Sequence, residues 1–136
     1  MKEYRVFRMY SEELEKEKRI YLYLPKSYGS SDKFYPVLYM HDGQNLFDNK
    51  TAYMNSSWNI IDTYYENPDI PEVIIVGIES DNDRSDELIP YEFTFQNGMK
   101  AGGKADLYLH FITKTLKPYI DQHYRTYKSP KNTGIM

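Results

Sequence analysis

No cysteine occurs anywhere in the 136 residues. That excludes disulfides, thiolate metal sites and a cysteine nucleophile, while leaving the compartment open. No stretch approaches the ~20 consecutive apolar residues of a membrane span. Met1-Lys2-Glu3-Tyr4-Arg5 leads into no apolar segment of the kind a secretory signal carries. The expectation is a cytoplasmic protein with no membrane partner. Positive charge is not in surplus either: 17 Lys and Arg stand against 20 Asp and Glu, a formal charge of -3. No clustered basic face is visible, so no nucleic-acid partner is expected. A phosphate loop is also missing. Gly102-Gly103 is followed by no Lys-Ser/Thr pair and belongs to no G-x-G-x-x-G pattern, which leaves a nucleotide-binding reading without its motif.

What the chain does have is tyrosine, fifteen of them, supplying apolar bulk with a polar tip suited to core edges and wet clefts. With 40% hydrophobic and 27% charged residues, the composition is that of an ordinary globular chain. The length predicts one domain.

Residues 4–10 and 19–24 are rich in aromatic and β-branched side chains and are predicted to be strands. The charge run between them, residues 11–18, predicts a solvated hairpin connection, so the two strands should pair antiparallel. Pro25 stops the second strand and residues 27–33 make a loop. Val37-Leu38-Tyr39-Met40 is a short apolar run, predicted to be a buried strand, and it ends abruptly in His41-Asp42-Gly43-Gln44-Asn45. A polar, glycine-bearing turn at the C-terminal end of a buried strand is where open α/β sheets place ligands and chemistry.

Asn55-Ser56-Ser57 offers N-caps for a helix from near Trp58 that ends at Asn67-Pro68. Residues 73–78 are the most continuous apolar run and predict a central parallel strand covered on both faces. Residues 79–103 read as one long irregular segment. From Lys104 to Tyr124, Ala105, Tyr108, Leu109, Ile112, Leu116, Tyr119 and Ile120 recur at helical spacing. Pro118 should kink the last turn. Residues 132–136 resemble the start of a further strand. The order β-β-β-α-β-loop-α-β predicts right-handed crossovers and a mostly parallel sheet. A final strand with no following helix would leave an apolar sheet edge, so one partner expectation is a second copy or a complementing half.

Four stretches together resemble the esterase family of α/β-hydrolases, the group that includes enterochelin esterases, feruloyl and acetyl-xylan esterases and S-formylglutathione hydrolase. They are Arg-Ile-Tyr-Leu-Tyr-Leu-Pro-Lys-Ser-Tyr at 19–28 and Tyr-Pro-Val-Leu-Tyr-Met-His-Asp-Gly-Gln-Asn-Leu-Phe at 35–47. The others are Arg-Ser-Asp-Glu-Leu-Ile-Pro-Tyr at 84–91, and Leu-Lys-Pro-Tyr-Ile-Asp at 116–121 followed by Thr-Gly-Ile-Met at 133–136. The resemblance implies an incomplete α/β-hydrolase fold, with antiparallel N-terminal strands leading into a mostly parallel sheet flanked by helices. Residues 1–136 would be the N-terminal part of one such domain, stopping just before the nucleophile elbow. In this family a Gly-x-Ser-x-Gly turn would come next, with the acid and the histidine of the triad later still. None of that is present here.

The implied activity is serine-type hydrolysis of a small-molecule carboxylic ester, with no cofactor, and with this chain inactive alone. In that reading the backbone N–H of Gln44 is an oxyanion-hole donor and Gly43 sets the turn geometry. The competing reading is that Asp42-Gly43 only closes a tight turn. Asn45, Trp58 and Tyr91 are candidates for lining the substrate site; the alternative for Trp58 is a place in the core. Arg84 and Glu87, at i, i+3 spacing, are expected to pair and fix the shape of a loop over the cleft.

His41 precedes the missing nucleophile and is expected to hold the turn locally rather than act as base. His110 and His123 are thirteen apart and cannot form the i, i+4 pair of a zinc helix, so they are read as surface or packing residues. Residues 81–92 imitate a calcium loop, but Asp86 stands where the sharp bend needs glycine. The alternative function is a non-catalytic truncated α/β module that oligomerises or binds a partner.

Overall fold

The computed structural model describes residues 3–136. Strand β1 (Tyr4–Ser11) and strand β2 (Lys16–Tyr23) form an antiparallel hairpin. Strand β3 (Val37–His41) leads through a 3-10 turn, Gly43–Asn45, to helix α1 (Ile60–Glu66) and strand β4 (Ile74–Ile78). Helix α2 (Arg84–Leu88) and a small hairpin, β5 (Phe93–Thr94) with β6 (Lys100–Ala101), come next. The long helical segment is α3 (Ala105–His110), a π-helical stretch (Phe111–Leu116) and α4 (Lys117–His123). Strand β7 (Thr133–Ile135) ends the described elements.

The main sheet has the order β1-β2-β4-β3-β7. β4 pairs antiparallel with β2 and parallel with β3, and β3 pairs parallel with β7. The sheet is therefore mixed in the expected way: the antiparallel N-terminal hairpin docks antiparallel against β4, and β4, β3 and β7 run parallel. All five residues of β4 are buried, as its unbroken apolar run requires. On one face Ile20, Leu22, Tyr39, Ile74, Val76 and Ile78 pack against the α3–α4 segment through Tyr108, Phe111, Ile112, Leu116 and Ile120. On the other face Tyr23, Met40 and Ile75 pack with Leu46 and the flank of α1. Among the described residues no helix is long and apolar enough to cross a membrane.

Four local expectations are corrected. First, the charge run at 11–18 is not a solvated connection. The strands extend into it, residues 12–15 alone make the turn, and Lys18 is 2% exposed. Lys16, Lys18, Ile20 and Leu22 share one side of β2 by its period of two, so Lys18 points toward the core. Its Nζ donates to both oxygens of the equally buried Glu87, at 2.7 and 3.1 Å.

Second, the first helix starts at Ile60 with Asn59 as its N-cap, and not one of Asn55, Ser56 or Ser57. The Trp58 N–H donates to the Asn45 carbonyl at 2.8 Å, and Asn59, in a left-handed conformation (φ 52°), turns the chain into the helix. Third, Pro118 falls in the first turn of α4 and not in the last turn of the helical segment. The π-helical stretch immediately before it widens the helix where the ring would meet the carbonyl four residues back. Fourth, Leu109, expected on the apolar face, is exposed, because the buried stripe runs through Tyr108, Phe111, Leu116 and Ile120 instead.

Candidate functional site

The turn after β3 is fixed from every side. Asp42 sits in the left-handed region (φ 55°, ψ 48°), which bends the chain sharply off the strand; Asp tolerates that conformation better than most residues. Its carboxylate accepts a two-pronged bond from Arg84 at the start of α2, with Nε at 2.8 Å from Oδ1 and Nη2 at 3.1 Å from Oδ2. That hydrogen bonding, against the opposing effect of burial and helped by Ser80, holds the Asp42 carboxyl below its ordinary range.

Gly43 is buried on the end of β4. A Cβ there would lie 2.6 Å from the Gly77 carbonyl carbon and 2.8 Å from the Ile78 nitrogen, and one on Gly77 would lie 2.9 Å from the Gly43 Cα. The two glycines let backbone meet backbone, and that contact, not an approach to open space, is why residue 43 has no side chain.

Gln44 anchors the turn through its side chain: Oε1 accepts the Ser80 N–H at 3.0 Å, just past the end of β4. Its carbonyl accepts the Thr51 hydroxyl at 2.7 Å. The N–H of Asn45 is used inside the turn, donating to the Asp42 carbonyl. The N–H groups of Gly43 and Gln44 meet no acceptor among the described residues. Gly43 is covered by β4, whereas Gln44 is partly exposed. The turn therefore fixes the Gln44 N–H in place without an acceptor among the described residues.

The end of β7 lies alongside. The Met136 N–H donates to the Tyr39 carbonyl, and the His41 N–H donates to the Met136 carbonyl, both at 2.9 Å. His41 itself is not held locally, as its place beside the turn suggested. Its Nδ1 shares a hydrogen bond with the Tyr108 hydroxyl at 2.8 Å, reaching across to α3. Burial lowers the His41 pKa, with Arg84 acting in the same sense and Asp42 against it, so the imidazole is neutral at pH 7. Burial raises the Tyr108 pKa, with Glu87 and Asp42 adding to it, and the phenol stays protonated.

The expected Arg84–Glu87 pair does not form. Three positions along one short helix turn the two side chains to different partners: Arg84 to Asp42 over the turn, and Glu87 down to Lys18. α2 is thereby pinned to the turn at one end and to the sheet at the other. Lys16 adds bonds to Asp81 and Asp83, at 2.8 and 3.0 Å. These are two of the carboxylates that imitate a calcium loop, and here they hold an ammonium. Burial opposes the charge on Lys16, but those carboxylates outweigh it and raise its pKa.

Asn45 lies in the turn, where its Oδ1 accepts the Tyr53 N–H at 2.8 Å. Trp58 is brought beside it by its backbone, with its side chain exposed rather than in the core. Tyr91 is 77% exposed and lies between α2 and β5. His110 is exposed, and His123 stacks on Tyr119 and bonds its carbonyl. Gly77, Ser80, Tyr108 and Lys18 complete the site but escaped sequence reasoning. A glycine inside an otherwise unbroken apolar strand was the one available signal, since it marks a close backbone approach.

Residues 11–136 match the model of the family described as "Putative esterase". An uncharacterized protein, YbbA of Bacillus subtilis (strain 168), is 29% identical over 128 residues, 93% of this chain and 48% of its own length. An IroE-like serine hydrolase from Shewanella oneidensis superposes with a TM-score of 0.67 at 30% identity, over 91% of this chain and 40% of its own. The BES protein from Bacillus cereus does so with a TM-score of 0.70 at 25% identity, over 99% and 51%. The chain thus spans about half the length, or less, of these relatives.

Proposed function

The chain belongs to the esterase family, and from that premise we propose that it forms the N-terminal portion of a serine-type carboxylic-ester hydrolase. Its part in the chemistry is the oxyanion-hole turn. The observation that carries this is the Gln44 N–H, in a turn anchored by its own side chain, unpaired among the described residues, and just past the end of β3, the strand that pairs with β7.

In acyl transfer a serine oxygen adds to the ester carbonyl while a histidine takes its proton. The carbonyl oxygen becomes an anion that two preorganised N–H donors must hold. In the α/β-hydrolase arrangement one donor follows the nucleophile and the other comes from the loop after the third strand. Gln44 stands at the second position. The nucleophile turn would follow β7, whose outer side carries no strand among the described residues and is open to the rest of the sheet. The substrate is a small-molecule ester.

The 136 residues hold no Gly-x-Ser-x-Gly sequence, so on their own they are expected to hydrolyse p-nitrophenyl acetate at the buffer rate. The same chain extended by the remainder of an esterase domain is expected to turn it over and to be labelled at one serine by a fluorophosphonate. Turnover by residues 1–136 alone that the phosphonate abolishes, or an extended protein that is neither active nor labelled, contradicts the proposal.

A further inference from the structure

A cleft of about 490 Å³ opens at the far end of the sheet from Gln44. It is bounded by the chain leaving β2, by the end of α1 and by Glu72, just ahead of β4. These are the starts of the parallel strands, and the turn is at their finish. A five-residue strand spans about 16 Å, so the cleft takes no part in the proposed ester chemistry.

Its walls are aromatic and acidic. Tyr23 stacks on Tyr64 with ring centres 5.5 Å apart. Tyr65 stands beside them, and its hydroxyl donates to Glu3 Oε1 at 2.6 Å. Glu72 accepts both the N–H and the hydroxyl of Ser27, at 3.2 and 2.9 Å, which fixes the loop forming one rim. Leu24 and Ile70 add apolar surface. The carboxylates of Glu3 and Glu72 line the same cleft as the Lys26 ammonium, which lies 4.8 Å from the centre of the Tyr65 ring. The protein's own side chain shows that this ring face accepts a cation. Lys26 is exposed and long, so it can swing away at little cost.

We propose that this cleft binds a small organic cation, an ammonium with an aryl or alkyl body. The charged head would take the place of the Lys26 ammonium over Tyr65, near Glu3 and Glu72, and the body would lie against Tyr23, Tyr64 and Ile70. The volume is in the range of small-molecule sites, and the mixture of apolar walls with a few convergent polar groups is what such sites share. The inference stands apart from the esterase reading, because it uses none of the residues of the turn.

The test is titration of the purified protein with benzyltrimethylammonium, followed by calorimetry and by the aromatic NMR signals of the tyrosines. Saturable binding is expected, weakening as salt is raised, with shifts confined to Tyr23, Tyr64 and Tyr65. Neopentylbenzene, the uncharged analogue of the same shape, should bind several-fold more weakly. Lys26→Gln should tighten binding several-fold by removing the competing ammonium, and Tyr65→Leu should weaken it. Equal binding of the neutral analogue, no saturable binding, or weaker binding by Lys26→Gln overturns the proposal. Both substitutions are at exposed positions, and Lys26→Gln decides the matter alone if Tyr65→Leu does not fold.

Discussion

Gly43 and Gly77 carry the shape of the turn through what they lack. A methyl on Gly43 would meet the backbone of β4 at 2.6 Å, and backbone cannot swing aside as a flexible side chain can. Gly43→Ala should therefore cost about 1–3 kcal/mol, the usual range for overpacking, read as a lower urea midpoint at unchanged slope. A change under about 0.5 kcal/mol, the size of an ordinary surface substitution, would contradict the close contact. The sequence marked Gly43 as a turn residue, but nothing local announced that its partner was another glycine 34 positions later. His41 is similar. Its place at the end of a strand was legible, whereas its bond to Tyr108 depends on how α3 crosses the sheet.

At this scale the pH response can also be signed. His41 and Asp42 both have folded pKa values below their unfolded ones. The unfolded chain therefore binds more protons, and stability is lost as pH falls. The His41 contribution is complete above its unfolded value of 6.5 and declines below that toward the folded value; the Asp42 contribution declines only below about 3.8. Urea midpoints should fall between pH 7 and pH 5, and His41→Gln should flatten that fall. An equally steep fall in the variant would mean the proton goes elsewhere.

Among the elements, the sequence concealed α2 and the β5–β6 hairpin, and α2 is the one that reaches the turn. Five residues inside a long polar segment give no helical period to read, and Arg84–Glu87 looked like a self-contained pair. The fold instead spends the two side chains in opposite directions, so that a short helix with little apolar surface is held by ion pairs. The Lys18–Glu87 pair is buried on both sides, with side chains 1% and 3% exposed. Lys18→Met should cost about 3–5 kcal/mol, because a buried carboxylate is left without its partner. The cost should fall toward the lower figure, since Lys16 lies 3.7 Å from the same carboxylate. The double substitution Lys18→Met with Glu87→Leu should recover most of the loss, as removing both charges of a buried pair often does. A double variant no better than the single would show that α2 needs the charges themselves. The exposed Arg84–Asp42 bond is a different matter: with Arg84 more than half exposed, it stabilises the fold by at most about 1 kcal/mol. Its role is to fix Asp42 in the left-handed bend.

For the molecule as a whole, the strand order up to β4 and the existence of the long helix were legible, since both rest on apolar periodicity. The antiparallel start of a mostly parallel sheet came with the family resemblance, whereas the pairing of β2 with β4 did not, because pairing partners are set by long-range contacts. The site was legible as a place: a polar turn at the end of a buried strand. It was not legible as a constellation, since Asp42, Arg84, Gln44 and Ser80 come together only when α2 and the end of β4 are brought over the turn. In the proposed function all of these contacts serve to present one backbone N–H. The account is tested most directly by kcat for p-nitrophenyl acetate in the extended esterase carrying Gln44→Pro or Gln44→Ala. Proline deletes the N–H, whereas alanine deletes the side-chain bond to Ser80 and keeps the N–H. The expected result is a fall of about 10²- to 10³-fold for proline, the cost of one lost oxyanion donor, with alanine within about tenfold of the parent. Equal losses in the two variants, or a proline variant that retains full kcat, would contradict it.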